Sequence, residues 1–287
     1  MPKKQSNEIT YFFVTQDSRT KRGGRVSRVT NKAKYQGMAL ARVGDIVTYD
    51  DRSEATINDD PAYTLPPNVA RDGGNIHRAA TRQAIINRAR QEGMNLMERS
   101  DWAAHKNRSA RMTNDWDYSK IAIHHAGRSF SCGPAALQLQ EIQDMQMGKS
   151  VAPSDDIGYH YALDCHGNIF EGRDIRFKGE SVHNYNTGVI GIVLLQNLTD
   201  SEEGGDGVAK IRKFLDTVGL SKRPQVPDKQ KQSVNKFIDI LREFFYINTL
   251  GGHREFPGQL GEGKICPGSV GLSLVKELRN LTGLSAP

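Results

Sequence analysis

Residues 120–125, KIAIHH, place Ile121 and Ile123 in the alternating period of a half-buried strand and close the run with two adjacent histidines. Successive strand side chains point to opposite faces, so His124 and His125 are expected in different surroundings. Downstream, PAALQLQEIQDMQMG (134–148) predicts a helix closed by Gly148, and HYALD and NIFEGR predict a hairpin turning at Cys165-His166-Gly167. VIGIVLLQ (189–196) is a near-continuous apolar run, the pattern of a strand buried on both faces. DKQKQSVNKFIDILREFFYI (228–247) puts Val234, Phe237, Ile238, Leu241, Phe244 and Phe245 on one stripe, with Asp228 as its N-cap. Strands and helices that alternate in this way predict an α/β domain.

Before residue 115 the pattern changes. Residues 9–57 read as short strands broken by turns: ITYFFVTQ, the breaker KRGGRVS, then MALARVGDIVTYDDRSEATI. NDDPAYTLPPNVARDGGNI (58–76) carries three prolines and two glycines and reads as a linker. From Arg78 to Ala104 helix formers dominate, with Ile85, Ile86, Ala89 and Met97 among the apolar positions at roughly helical spacing, which predicts a connecting or packing helix, amphipathic in character. The chain thus divides into a β-rich segment (1–57), a linker with its helix (58–114) and an α/β domain (115–287). The loop SEEGGDG (201–207) is the one low-complexity patch.

At 37% hydrophobic residues over 287 positions the chain can build an ordinary core. It shows no run of 18 apolar residues, so no membrane insertion is expected, and no apolar export signal at the N-terminus. The net charge of +6 is concentrated early, with nine Lys/Arg against Glu8 and Asp17 in residues 1–35. Such a bias suits a polyanionic partner, although basic stretches are more often simply a solvated face. Without aromatic interleaving or a recognisable module, nucleic acid is not among the expected partners.

Three scattered cysteines, Cys132, Cys165 and Cys266, are too few for a disulfide framework. Cys132 and Cys165 are read as free thiols, with a bridge between them as the alternative. Cys266 follows His253 in the Gly/Pro-rich stretch GGHREFPGQLGEGKICPGS (251–269). Together with a strand-end histidine, this pair can make a three-ligand zinc site whose fourth position stays open, the arrangement of catalytic zinc. On spacing alone the same residues could be core histidines and a small buried hydrophobe.

The motifs I-A-I-H-H, G-Y-H-Y (158–161), D-C-H-G-N-I-F-E-G-R (164–173), S-V-H-N-Y-N-T-G-V-I-G-I (181–192) and G-H-R-E…K-I-C-P-G, in this order, resemble the type 2 N-acetylmuramoyl-L-alanine amidases. That family includes phage amidase-type lysozymes and peptidoglycan recognition proteins. The resemblance spans roughly residues 115–283 and implies a central mixed β-sheet flanked by helices. It implies zinc held by His124, His253 and Cys266, and hydrolysis of the amide between N-acetylmuramic acid and L-alanine in peptidoglycan. Tyr159 and Lys264 match the catalytic tyrosine and lysine of the phage enzymes, and His183, Asn184 and Arg173 are expected in the substrate groove. Zinc would lower its water's pKa to about 7 and polarise the carbonyl. Lys264 would stabilise the oxyanion and Tyr159 would hydrogen-bond it or the water. Non-catalytic relatives typically lose the cysteine, which is present here, so a wall-binding module is the alternative rather than the leading reading.

Residues 19–57, above all A-R-V-G-D-x-V-x-Y, are similar to the PAAR-repeat proteins that tip type VI secretion spikes. That similarity implies a protein made in the cytoplasm without a Sec signal, injected into a neighbouring cell and active in its periplasm as an antibacterial effector. A spike trimer of the VgrG type and a cognate immunity protein would be its partners. A small β-rich extension without this role, a prophage endolysin and a spike adaptor remain as alternatives.

Overall fold

The computed structural model describes residues 16–17, 25–29, 34–35, 38–39, 41, 45–56, 75–104, 106–127, 129–200, 203 and 224–287. The linker up to residue 74, ITYFFVTQ apart from Gln16, and the SEEGGDG loop apart from Glu203 lie outside the described residues. Two compact units divide between Thr81 and Arg82.

In the first unit, β1 (Arg25–Arg28), β2 (Lys34–Tyr35), β3 (Met38–Ala39), β4 (Ile46–Thr48) and β5 (Glu54–Thr56) follow in sequence. An antiparallel sheet of order β1-β4-β5 forms beside a two-stranded β2-β3 ribbon, as expected for a β-rich extension. Val26 and Val47 face each other across β1 and β4 and are its buried pair.

The division falls within α1 (Asn75–Gln91), and the second unit continues from Arg82 with β6 (Leu96–Met97), β7 (Lys120–His125), α2 (Ala135–Met147), β8 (Tyr161–Leu163), β9 (Ile169–Glu171) and β10 (Val189–Leu194). Then come α3 (Asp228–Phe244), β11 (Thr249–Gly252) and α4 (Gly268–Thr282). One mixed six-stranded sheet of order β11-β7-β10-β8-β9-β6 results. β11, β7, β10 and β8 run parallel, and the hairpin β8–β9 supplies the antiparallel step.

Alternation in the strands sorts the core onto the two faces of this sheet. Ile121 and Ile123 of β7 with Ile190, Ile192 and Leu194 of β10 pack beneath Val234, Phe237, Ile238 and Leu241 of α3, Leu274, Val275 and Leu278 of α4, and Ile85, Ile86 and Ala89 of α1. The opposite face carries Ala162, Phe170 and Val193 against Leu139 and Ile142 of α2, with Trp102 alongside. α3 shows its apolar stripe to the sheet as its sequence period requires.

Three expectations need correction. The helix expected to reach Ala104 stops at Gln91, because Gly93 turns the chain with φ +74°, a conformation that costs glycine little. The residues beyond it pair with β9 as β6 and make a short 3-10 turn, Arg99–Trp102, so residues 82–114 belong to the same unit as the sheet. Asp228 is not the N-cap of α3: Pro227 holds that place and Asp228 is the first helical residue. Cys132 and Cys165 are not free thiols but form a disulfide with Cα atoms 5.5 Å apart. The loop after β7 returns over the β8–β9 tip, a proximity that a sequence separation of 33 does not reveal.

Candidate metal centre

His124 sits at the end of β7, on the sheet face opposite to that of Ile121 and Ile123, and is fully buried. His125 points the other way, where its Nδ1 accepts the Leu198 backbone N–H at 3.1 Å. In the β11–β7 register Gly252 lies opposite Ile123, so the residue after β11, His253, emerges beside His124. Their rings are 4.6 Å apart, centroid to centroid. Cys266 precedes α4, and its Sγ lies 3.6 Å from His124 Nδ1. Gly268 makes that placement possible. With φ +81° it passes so close to the Leu198 carbonyl that a Cβ would lie 2.1 Å from the oxygen.

One ligand atom from each of His124, His253 and Cys266 falls within 4.8 Å of the others. Two imidazoles and a thiol form a borderline-soft donor set of the kind that zinc takes in open, catalytic sites. His124 Nε2 is buried and has no hydrogen-bond partner among the described residues. An orphaned buried nitrogen is costly, and a cation held by the same ring would account for its retention. The donors present therefore fit zinc.

Electrostatics favour the neutral cluster when nothing is bound. Burial pushes the Cys266 thiol up to about 12 and drives His124 well below its ordinary value, and His253 is lowered too, chiefly by burial. Neutral imidazoles are the ligating form, and a coordinated cation would overturn the thiol's preference by fixing the thiolate.

The Tyr159 ring lies 4.9 Å from that of His124. Burial, then the neighbouring Cys266 sulfur, raise its phenol, so its hydroxyl keeps the proton and can donate. Gly172 is the close approach behind it: a Cβ there would sit 2.3 Å from the Tyr159 carbonyl oxygen. Lys264 is exposed, 3.9 Å from Glu262 Oε2, and its backbone N–H donates to the Gln259 carbonyl at 3.2 Å. His183, also exposed, pairs through Nδ1 with Glu262 Oε1 at 2.8 Å, and the Asn184 amide lies beside it.

Arg173 departs from expectation. It is 1% exposed, with its guanidinium donating to the carbonyls of Ile157, Asp156 and Lys178 and to Glu180. Its hydrogen bonds tie the 156–180 loops together, and at this burial it does not line an open groove. The sequence reading also missed Gln259, whose Oε1 lies 2.9 Å from His253 Nε2, and Glu262. A lone Gln or Glu in a Gly-rich loop carries no pattern that could have singled it out. Glu203 was missed as well. It binds Arg254 next to His253 and the Ser269 amide at the start of α4, steadying both ligand-bearing segments.

A solved structure with this architecture is a bumblebee peptidoglycan recognition protein, PGRP-SA: 18% identity, TM-score 0.50, covering 68% of this chain and 98% of that one. The fold is thus that of the peptidoglycan recognition proteins. A family model described as N-acetylmuramoyl-L-alanine amidase matches residues 114–269, more than half of the chain, and the chain belongs to this family. Among curated relatives, peptidoglycan-recognition protein SC2 of Drosophila melanogaster is 32% identical over 107 residues, 37% of this chain and 56% of that protein. Peptidoglycan-recognition protein SD of the same species is 25% identical over 123 residues, 42% and 65% respectively. The chain therefore spans less than two thirds of the length of these relatives.

Proposed function

We propose that this chain is a zinc-dependent amidase that hydrolyses the bond between the lactyl group of N-acetylmuramic acid and the L-alanine of the peptidoglycan stem. The observation that carries this reading is the convergence of His124, His253 and Cys266 within 4.8 Å around a buried orphan nitrogen, at residues matched by the family model. Zinc held there would polarise the scissile carbonyl and lower the pKa of a water to about 7.

The chain's own residues supply the rest. The amide's carbonyl oxygen gains negative charge on attack, and a preorganised donor aimed at it is worth about 3 kcal/mol. The Tyr159 hydroxyl, kept protonated by burial, and the Lys264 ammonium, at the rim beside Cys266, are the donors. His183 and Asn184, both exposed near the Glu262 carboxylate, line the groove for the glycopeptide.

Delivery to the periplasm of a target cell by a type VI spike, with a cognate immunity protein in the producer, is the accompanying reading. The A-R-V-G-D-x-V-x-Y run supports it, and its residues Ile46–Thr48 form β4 of a small antiparallel sheet. So does the Cys132–Cys165 disulfide, a bond that persists in oxidising compartments. No helix among the described residues is long and apolar enough to cross a membrane.

Mass spectrometry of purified Gram-negative peptidoglycan after incubation with the protein tests the activity, with and without chelator and beside Cys266→Ser. Free stem peptides beginning at L-alanine are expected, and are lost with chelator and in the variant. Intact muropeptides in the presence of zinc would leave a wall-binding protein instead.

A further inference from the structure

Gln259 is a buried amide, 1% exposed, in the loop between His253 and Cys266. A glutamine buried to this extent needs partners for both ends of its amide. One end faces two carbonyl oxygens, His183 O at 2.8 Å and Pro257 O at 3.3 Å. Carbonyl oxygens only accept, so the end that faces them is the NH2 group, and the orientation of the amide is determined. Its oxygen then faces His253 Nε2 at 2.9 Å. An amide oxygen only accepts in turn, so Nε2 carries the hydrogen and Nδ1 is the unprotonated nitrogen of the neutral ring.

We propose that Gln259 is a positioning residue of the metal centre, holding His253 in the tautomer whose Nδ1 lone pair is free for a cation. The inference rests on the metal reading above and adds the group that sets this ligand's tautomer and ring angle. A metal-binding histidine is ordinarily oriented in this way by an acceptor on its other nitrogen, and loss of that acceptor weakens the metal about 10–100-fold. Gln259 is itself anchored at four points: the two carbonyls at its NH2, its backbone N–H on the Phe256 carbonyl at 3.2 Å, and the Lys264 N–H on its own backbone carbonyl at 3.2 Å. The same residue thus braces the segment that carries Lys264.

The test is zinc affinity of the purified full chain, measured by competition with a fluorescent chelator, together with the absorption bands of the cobalt(II)-substituted protein. Gln259→Leu removes the acceptor at similar volume, and Gln259→Glu retains it while changing the donor end. The expected result is zinc binding about 10–100-fold weaker and altered cobalt bands in Gln259→Leu, with affinity and bands restored in Gln259→Glu. A merely structural glutamine would lose as much in Gln259→Glu, which disturbs the anchoring carbonyls, as in Gln259→Leu. Equal losses in the two variants, or wild-type affinity in Gln259→Leu, overturn the role of Gln259 and leave the metal reading standing. Wild-type protein that takes up no zinc overturns both.

Discussion

Cys266 Sγ lies 3.6 Å from His124 Nδ1, although 142 residues separate them in sequence. His124 is buried and Cys266 half-buried, and both are held in their uncharged forms, so a zinc ion would bind the folded chain and find no such cluster in the unfolded one. At free zinc 100-fold above its dissociation constant the folded state should gain about 2.7 kcal/mol. Thermal melts in zinc against chelator measure this. The gain should nearly vanish in Cys266→Ser, and identical melts for the wild type in both conditions would refute the site.

Lys264→Met and Tyr159→Phe should each lower kcat about 10²–10³-fold while leaving KM and bound zinc close to wild type, because each removes a donor needed only as the oxyanion forms. Steady-state release of stem peptide with metal content measured in parallel separates this from loss of the ion. An unchanged kcat in either variant would remove that residue from the reaction.

His160 makes stability depend on pH. It is fully buried: its Nδ1 accepts the Gly191 N–H at 3.1 Å and its Nε2 faces the Phe177 carbonyl at 2.9 Å. Burial lowers it to about 4, and a second proton would set Nδ1–H against the Gly191 N–H. Above its ordinary value of 6.5 neither the folded nor the unfolded chain protonates it. Between 6.5 and about 4 only the unfolded chain does, so stability falls as pH falls through that window and levels below it. At 1.36 kcal/mol per pH unit the loss amounts to about 3 kcal/mol. His124 and His253, lowered likewise, act in the same direction in the metal-free chain. Urea unfolding of wild type and His160→Gln at pH 7 and pH 4.5 isolates the His160 share as the difference in slope between the two proteins. Parallel slopes would contradict it.

Reducing the Cys132–Cys165 bond, or replacing both cysteines by serine, should destabilise the second unit. A closed loop of 33 residues restricts the unfolded chain by about 4 kcal/mol. The urea midpoint with and without reductant is the readout, and coincident curves would show that the bridge contributes nothing.

Much of the fold was legible in sequence. β7, β10, the β8–β9 hairpin and α3 declare themselves in short windows of sequence, because apolar period, a continuous apolar run or a Gly-containing turn marks each one locally. The end of α1 was not legible. Its composition stays helical through Trp102, and it is Gly93 and the pairing of Leu96 and Met97 with β9 that end it. Among the site residues, ligand atoms of His124, His253 and Cys266 lie within 4.8 Å of one another and the Tyr159 ring lies 4.9 Å from that of His124. Arg173 does not join them: a motif arginine reads alike whether it faces a groove or, as here, the carbonyls of its own loops.

The amino-acid sequence by itself determined the α/β class, the alternation that turns His124 and His125 apart, and the chemical types available for a zinc site. These are local properties, written in side-chain period and donor identity. The tertiary structure alone decided that Cys132 meets Cys165, that Arg173 is locked inside and that Gln259 reaches both His253 and His183. Each depends on how loops far apart in the chain fold back over the sheet ends. Loop paths are set by the sum of many packing contacts, and no short window of sequence records that sum.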